Sequence, residues 1–385
     1  MSAPRSAVRS APTTAPRVAP IRAPTIAPRI AIIAAAPAPL LARLVADCAS
    51  LGSCEQWTPN AAPPWLARAP GPLGPFARRR IVGDIAGDGA PRPSLSRGLL
   101  SPGLLADAAL HAWAGERTDR RYLAELAKRV ALDAWAAARV RRHRPQIVVA
   151  TSLGARRTFA AARAVGARTV LVLDLPLLRA LHRDLDRAAR VWPHRAFLRR
   201  FRAPSWAIAR QEAERVLADV ILVRGPYARS LCLADGIPAE RLAELPRGAG
   251  PQLASSATPT GRLRLAGLAA ARHGVDTALA AAQRLGKTLV VRIGEGTEPA
   301  DLARLPGVAT DDGPVDAIVC PAICEAYPPE VRASGLPVIA SPMASLDGRG
   351  PDPYDAEAFA RAIEAARPQV ASQAPSVAPR IAQLL

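Results

Sequence analysis

Short apolar runs alternate along this chain with longer stretches in which apolar residues recur at helical spacing, the pattern of strands followed by helices. Arg29–Ala36 predicts a buried strand and Leu40–Cys48 a helix. Residues 57–103 are broken up by Pro, Gly and Arg and yield only a short strand at Ile81–Ile85. Helical patterns follow at Leu104–Trp113 and Arg120–Arg142, then a strand at Gln146–Ala150, a helix at Arg156–Val165 closed by Gly166, and a strand at Thr169–Leu173. After a helix over Trp206–Ala218 the series resumes with strand Val220–Val223, helix Pro226–Leu233 and strand Leu242–Leu245.

Ala249–Thr260, with Ser255, Ser256 and two prolines, reads as a linker. Beyond it come strand Leu263–Ala266, helix Val275–Leu285, strands Thr288–Ile293 and Ala317–Val319, helix Pro329–Ser334, strand Val338–Ala340 and helix Ala356–Ala366. Such alternation implies parallel sheets. The expected fold class is α/β, two Rossmann-like βα domains facing each other across a cleft. The expected boundaries are an arm at 1–28, a first domain at 29–248, a linker at 249–260, a second domain at 261–370 and a tail at 371–385.

The length of 385 residues agrees with two domains. From Ala11 to Pro28 the dipeptide Ala-Pro recurs every four residues, and no acidic residue precedes Asp47, so the arm predicts an extended basic segment. The tail from Ala371 carries a second Ala-Pro stretch and predicts the same. No apolar run approaches the ~20 residues a membrane-spanning helix needs. The five cysteines are irregularly spaced, and no apolar secretory segment precedes them, which predicts a cytoplasmic location.

The formal charge of +19 points toward an anionic partner, but all but Lys128 and Lys287 of the 51 basic residues are arginine, a bias that discounts part of that charge. Sixteen arginines lie between Arg139 and Arg202 against Asp174, Asp184 and Asp186 alone. Few aromatics are interleaved with them, so nucleic acid is not the expected partner. A peripheral contact with acidic phospholipid at the inner face of a membrane is compatible with that density. His111, His143 and His194 show no metal-ligand spacing, and Cys320 with Cys324 predicts two buried thiols, so no metal site is expected.

Two strand-to-helix corners carry candidate chemistry. At Gly267–Gly274 a strand ends at one glycine and a helix starts beside another, with Arg272 and His273 between them. Glycines admit close backbone approach, free N–H groups at a helix start favour an anion, and a nearby cation adds charge-assisted bonds, which suits a diphosphate. The second corner runs from Val319 to Ser341, with Glu325 in the loop, Pro329 suited to a first helical position, Glu330 in the first turn and Gly335 at the helix end. Glu330 there is either a charge favourable to the helix dipole or a carboxylate that accepts hydrogen bonds from ligand hydroxyls.

These motifs together resemble the retaining glycosyltransferases of family 4, as a divergent member. Ala218–Val223, Pro226–Leu231, Gly236–Arg241 and Leu245–Gly248 are similar to the family's domain crossover, Gly267 and Gly274 keep its phosphate-loop spacing, and Glu330 with Gly335–Ala340 is similar to its nucleotide-sugar signature. The likeness runs from about Gln146 to Arg367. It implies a GT-B fold and a bacterial, metal-independent, hexosyltransferase-like enzyme of glycan biosynthesis that moves a sugar from a nucleotide-sugar donor to a lipid-linked, polysaccharide or other glycan acceptor. No cofactor beyond the nucleotide-sugar co-substrate is implied. Glu330 inherits the ribose-holding role, Glu325 the place near the donor sugar, and Gly267, Arg272, His273 and Gly274 the diphosphate. Asp174 and His182 fall where the family contacts the acceptor. The chain departs from the family at Leu268 and His273, which stand where it has arginine and lysine, and Glu325 and Glu330 are closer together than its paired glutamates. These departures raise the alternative of a catalytically silent GT-B-like protein that binds a glycan or a partner.

Overall fold

A computed structural model of the chain describes residues 27–34, 39–57, 118–195, 198, 202–245, 258–293, 306–328, 331, 335–367, 376 and 378–384. The strand expected at Ile81–Ile85 and the helix at Leu104–Trp113 lie outside the described residues, as do all but Val331 of the helix at Pro329–Ser334 and residues 1–26 of the arm.

The first sheet contains β1 (Arg29–Ile33), β2 (Ser53–Trp57), β3 (Ile147–Thr151), β4 (Arg168–Val172), β5 (Val220–Val223) and β6 (Leu242–Glu244), all parallel, in the order β2-β1-β3-β4-β5-β6. Its central strands read as apolar runs because both faces are covered. Alternate side chains go opposite ways: Ala31, Val148, Leu171 and Ile221 meet α2 (Thr118–His143) and α3 (Arg156–Ala164). Ile32, Val149, Val170 and Leu222 meet α1 (Pro39–Leu51) on the other face. Strand β2 has no apolar run because it is the edge, where only one neighbour is paired.

Two further helices complete this domain's route to the second: α4 (Leu178–Val191) and α5 (Ser205–Leu217), followed after β5 by α6 (Pro226–Ala234). The second sheet holds β7 (Arg262–Leu268), β8 (Thr288–Arg292), β9 (Val308–Ala309), β10 (Ala317–Cys320) and β11 (Val338–Ala340), parallel, in the order β11-β10-β7-β8-β9. Helices α7 (Val275–Arg284) and α8 (Ala356–Ala365) cover one face, with Phe359 fully buried between them and the strands. The architecture is α/β, two Rossmann-like domains each built on a parallel sheet.

The tail corrects the expectation of a second extended arm. Its end forms a short helix, α9 (Ala378–Ala382), which returns to the first domain and buries Ile381 in the core beneath α1. The Ser376 hydroxyl accepts the Ala378 N–H at 3.1 Å and donates to Asp47 at 2.9 Å. Pro379 is tolerated because first-turn N–H groups have no partner in the helix. The burial of one isoleucine, with these two bonds, outweighs the extended bias of the Ala-Pro stretch.

Candidate functional site

In the second sheet the strand order reverses around β7, which has β10 on one side and β8 on the other. Open α/β sheets bind ligands outside the carboxyl ends of strands at such a reversal. Both corners singled out in the sequence lie there: Gly267–Gly274 follows β7, and the loop holding Glu325 follows β10.

A left-handed backbone is required at each glycine of the first corner, with φ of +80° at Gly267 and +74° at Gly274. Gly274 is the tighter of the two, because a Cβ there would sit 1.9 Å from the Pro321 carbonyl oxygen. Gly267 lies against the His273 ring and Pro328. A short 3-10 turn over Ala271–His273 precedes α7 and turns the Arg272 side chain out to solvent, while the Arg272 carbonyl accepts the Ile323 N–H at 3.1 Å. His273 instead points inward, 8% exposed, with Nδ1 2.7 Å from the Leu268 carbonyl oxygen. Burial, then the Arg272 charge, lowers its pKa to about 4, so the ring is neutral near pH 7. Of the two basic residues between the glycines, only Arg272 offers a positive charge near pH 7.

Glu325 lies at the seam between the domains. Its residue is 4% exposed, and no protein group completes a hydrogen bond of normal geometry to either carboxylate oxygen. Burial pushes its pKa up to about 7; the Arg224 charge and the Leu177 backbone amide draw it back weakly, and Asp184 raises it. Leu177, Arg224 and Asp184 all belong to the first domain, so the sequence-predicted carboxylate of the second domain faces the first. Glu330 lies outside the described residues.

This stretch of the seam is packed. Ala271, Ile323 and Cys324 join Leu178, Leu181, Leu185 and Ala188 of α4 in one apolar cluster. The Tyr327 ring fills the space beside Gly225, where a Cβ would come within 2.4 Å of it. Trp192 packs on Tyr354 at 5.2 Å between centroids, and Arg187 pairs with Asp352 at 3.1 Å. Cys320 and Cys324 are buried, and burial pushes the Cys324 thiol up to about 12. Among the described residues no group of three or more His, Cys, Asp or Glu side chains could hold a metal. No described helix is long and apolar enough to cross a membrane.

Asp174 and His182, expected on the acceptor side, do not join Glu325. Asp174 is held bidentately by Arg129 of α2 at 3.2 and 2.8 Å and accepts the Ser152 N–H at 3.1 Å. With its oxygens so engaged it anchors α2 to the strand ends. His182 lies on α4, where Nε2 accepts the Ala203 N–H at 2.8 Å. Burial and the nearby Arg202 charge lower its pKa.

A buried polar network in the first domain left no trace in the sequence pattern. The Glu214 carboxylate accepts the N–H groups of Leu153, Ala155 and Arg156 at 2.6, 2.9 and 3.1 Å. Asp133 accepts those of Arg157 and Thr158 at 2.8 and 2.7 Å, and Arg210 bonds Asp133. Two of the chain's own carboxyl groups therefore occupy the anion position at the start of α3. Each of these side chains stands on a helix at a spacing that resembles a solvated face, and only the packing of α2, α3 and α5 reveals the pairing.

No protein-family model and no curated protein matches the sequence. Among solved structures, the chain is similar to the glycotransferase of kitacinnamycin, at 14% identity and TM-score 0.43 over 93% of this chain and 94% of that one. It is also similar to Methanocaldococcus jannaschii UDP-GlcNAc 2-epimerase in complex with UDP-GlcNAc and UDP, at 9% identity and TM-score 0.46 over 92% and 98%. Phytolacca americana UGT2 complexed with UDP-2fluoro-glucose and pterostilbene is a third, at 14% identity and TM-score 0.44 over 84% and 82%.

Proposed function

We propose that this chain binds a nucleotide-activated sugar at the carboxyl ends of β7 and β10 and transfers its glycosyl group, with retention, to a glycan or lipid-linked acceptor. The observation that carries this reading is the meeting of the Gly267–Gly274 corner and the buried, unpartnered Glu325 carboxyl at the strand-order reversal of the second sheet. Arg272 and the N–H groups at the start of α7 hold the diphosphate, and Glu330 holds the ribose. Glu325 accepts hydrogen bonds from hydroxyls of the donor sugar, which supply the partners it lacks. In the transfer, the anomeric carbon–oxygen bond to the diphosphate breaks and a bond to the acceptor hydroxyl oxygen forms on the same face. The hydroxyl proton passes to the departing phosphate oxygen, so no protein base is needed.

Isothermal titration of the full chain with UDP, GDP and ADP, followed by a hydrolysis and transfer screen of the corresponding sugar nucleotides, tests this reading. The expected result is binding of one diphosphate that Arg272→Gln weakens about tenfold, corresponding to roughly 1.4 kcal/mol. Silence across all three nucleotides would overturn it.

A second reading, a catalytically silent module of the same architecture, is favoured by the neutral His273 ring and by the apolar packing of Ile323 and Cys324 into the seam. Nucleotide binding without turnover of any sugar nucleotide would select it.

A further inference from the structure

Helix α4 presents exposed arginines at 179, 183, 187 and 190, spaced so that they run along one side of the helix. Arg187 is turned to the second domain, where it pairs with Asp352 and covers the Tyr354 ring at 4.8 Å. The other three line a groove of about 410 Å³ together with His182, Asp186 and Ile208. That volume falls in the range of small-molecule sites, roughly 300–1,000 Å³.

The groove has a surplus of positive charge. Asp186, its acidic member, is already bound by Arg202 at 2.5 Å, a residue that does not line it. Arg183 is ion-paired with Asp184 at 3.6 Å through Nε, and Asp184, a residue 8% exposed, also accepts a hydrogen bond from Tyr227 at 2.7 Å, which leaves the exposed end of the Arg183 guanidinium toward the groove. Arg179 shares its charge with Glu212 of α5 at 2.7 Å, and Arg190 has no ion-pair partner among the described residues. His182 adds a directed donor: because Nε2 accepts the Ala203 N–H, the neutral ring carries its proton on Nδ1. Guanidinium forks with a further N–H donor, beside an apolar residue at Ile208, match the oxygens of a phosphate joined to a less polar group.

We propose that the groove between α4 and α5 is a binding site for a phosphate ester, with Arg183 and Arg190 holding the phosphate oxygens. The site lies in the first domain, apart from the Gly267–Gly274 corner, and does not depend on the nucleotide-sugar reading. The same chemistry is offered by a soluble sugar phosphate and by a phospholipid headgroup.

The test uses the full chain with glucose 6-phosphate, with glucose as the uncharged control, and with vesicles of phosphatidylglycerol or phosphatidylcholine. The expected result is binding of glucose 6-phosphate or of phosphatidylglycerol vesicles, weakened at least tenfold by the double variant Arg183→Gln, Arg190→Gln and retained in part by Arg183→Lys, Arg190→Lys. Binding of the sugar phosphate assigns a soluble ligand; binding of the vesicles alone assigns a headgroup. Ile208→Glu, which places a carboxylate in the groove without removing an arginine, is expected to give the same loss. Failure of the wild-type chain to bind either probe, or binding that none of these substitutions alters, would overturn the proposal. Titration of the double variant with UDP, GDP and ADP separates the two sites, because an unchanged nucleotide isotherm leaves the proposed function standing.

Discussion

Arg195, just beyond the end of α4 in the first domain, closes a 2.5 Å ion pair on Asp276 in the first turn of α7 in the second. Both side chains are less than a fifth exposed. Asp276 already favours the positive end of α7, and Arg195 adds a charge-assisted bond across the seam. Arg195→Ala is expected to lower stability by about 1–2 kcal/mol, because it strands a partly buried carboxylate. A double-mutant cycle with Asp276→Asn checks it, with a coupling of at least about 0.5 kcal/mol by chemical denaturation.

Gly274→Ala should be among the most damaging single substitutions in the second domain. The new methyl group would have to occupy the space of the Pro321 carbonyl in a backbone conformation that L residues rarely adopt. A loss above about 3 kcal/mol is expected, against about 1 kcal/mol for Gly286→Ala, where φ is +62° and nothing lies within 4 Å. Thermal unfolding of the two variants side by side makes the comparison.

The Glu325 carboxyl gives the fold a pH dependence of definite sign. Its pKa rises from the usual 4.5 to about 7 on folding, so the folded state holds the proton more tightly and this stabilising contribution is lost as pH rises between those values. Glu325→Gln, a neutral side chain of the same shape, is expected to match the wild type at about pH 4, below the unfolded value. At pH 8 it should unfold at a higher temperature, by about 2–4 °C for each kcal/mol regained. Melting curves at the two pH values read this directly.

Ile381→Ala is expected to destabilise the first domain by about 2–5 kcal/mol, because the side chain is fully buried in its core. Hydrogen exchange of β1 and β3 amides would register the loss. Unchanged protection there would mean that α9 does not contribute to this core.

Asp133→Asn should cost about 3 kcal/mol, since buried Arg210 would lose one of its two carboxylate partners and keep only Glu214. Substitution of Glu357, which is exposed and paired only with Arg361 on the same helix, should cost less than about 0.5 kcal/mol. The contrast, measured by urea denaturation, separates buried pairing from a surface pair of similar length.

Strands β1, β3, β4, β5, β7 and β8 were legible in the sequence as short runs dominated by buried apolar residues, and the helices between them because one face alone is covered. The glycine corners were legible too, since a positive φ admits few other residues. The polar edge strand β2 and the helix α4 went unread: the first is polar apart from Cys54 and the buried Trp57, and in the second the arginines obscure the leucines that face the second domain. Sequence could place Glu325 in a loop, but its neighbours Leu177, Arg224 and Asp184 are more than a hundred positions away, and only tertiary packing buries its carboxyl against them. The charge of His273, the pairing of Asp174 with Arg129 and the docking of Ile381 have the same origin. Local pattern fixes which faces must be covered, whereas the ionisation and partners of a polar group depend on which distant surface covers it.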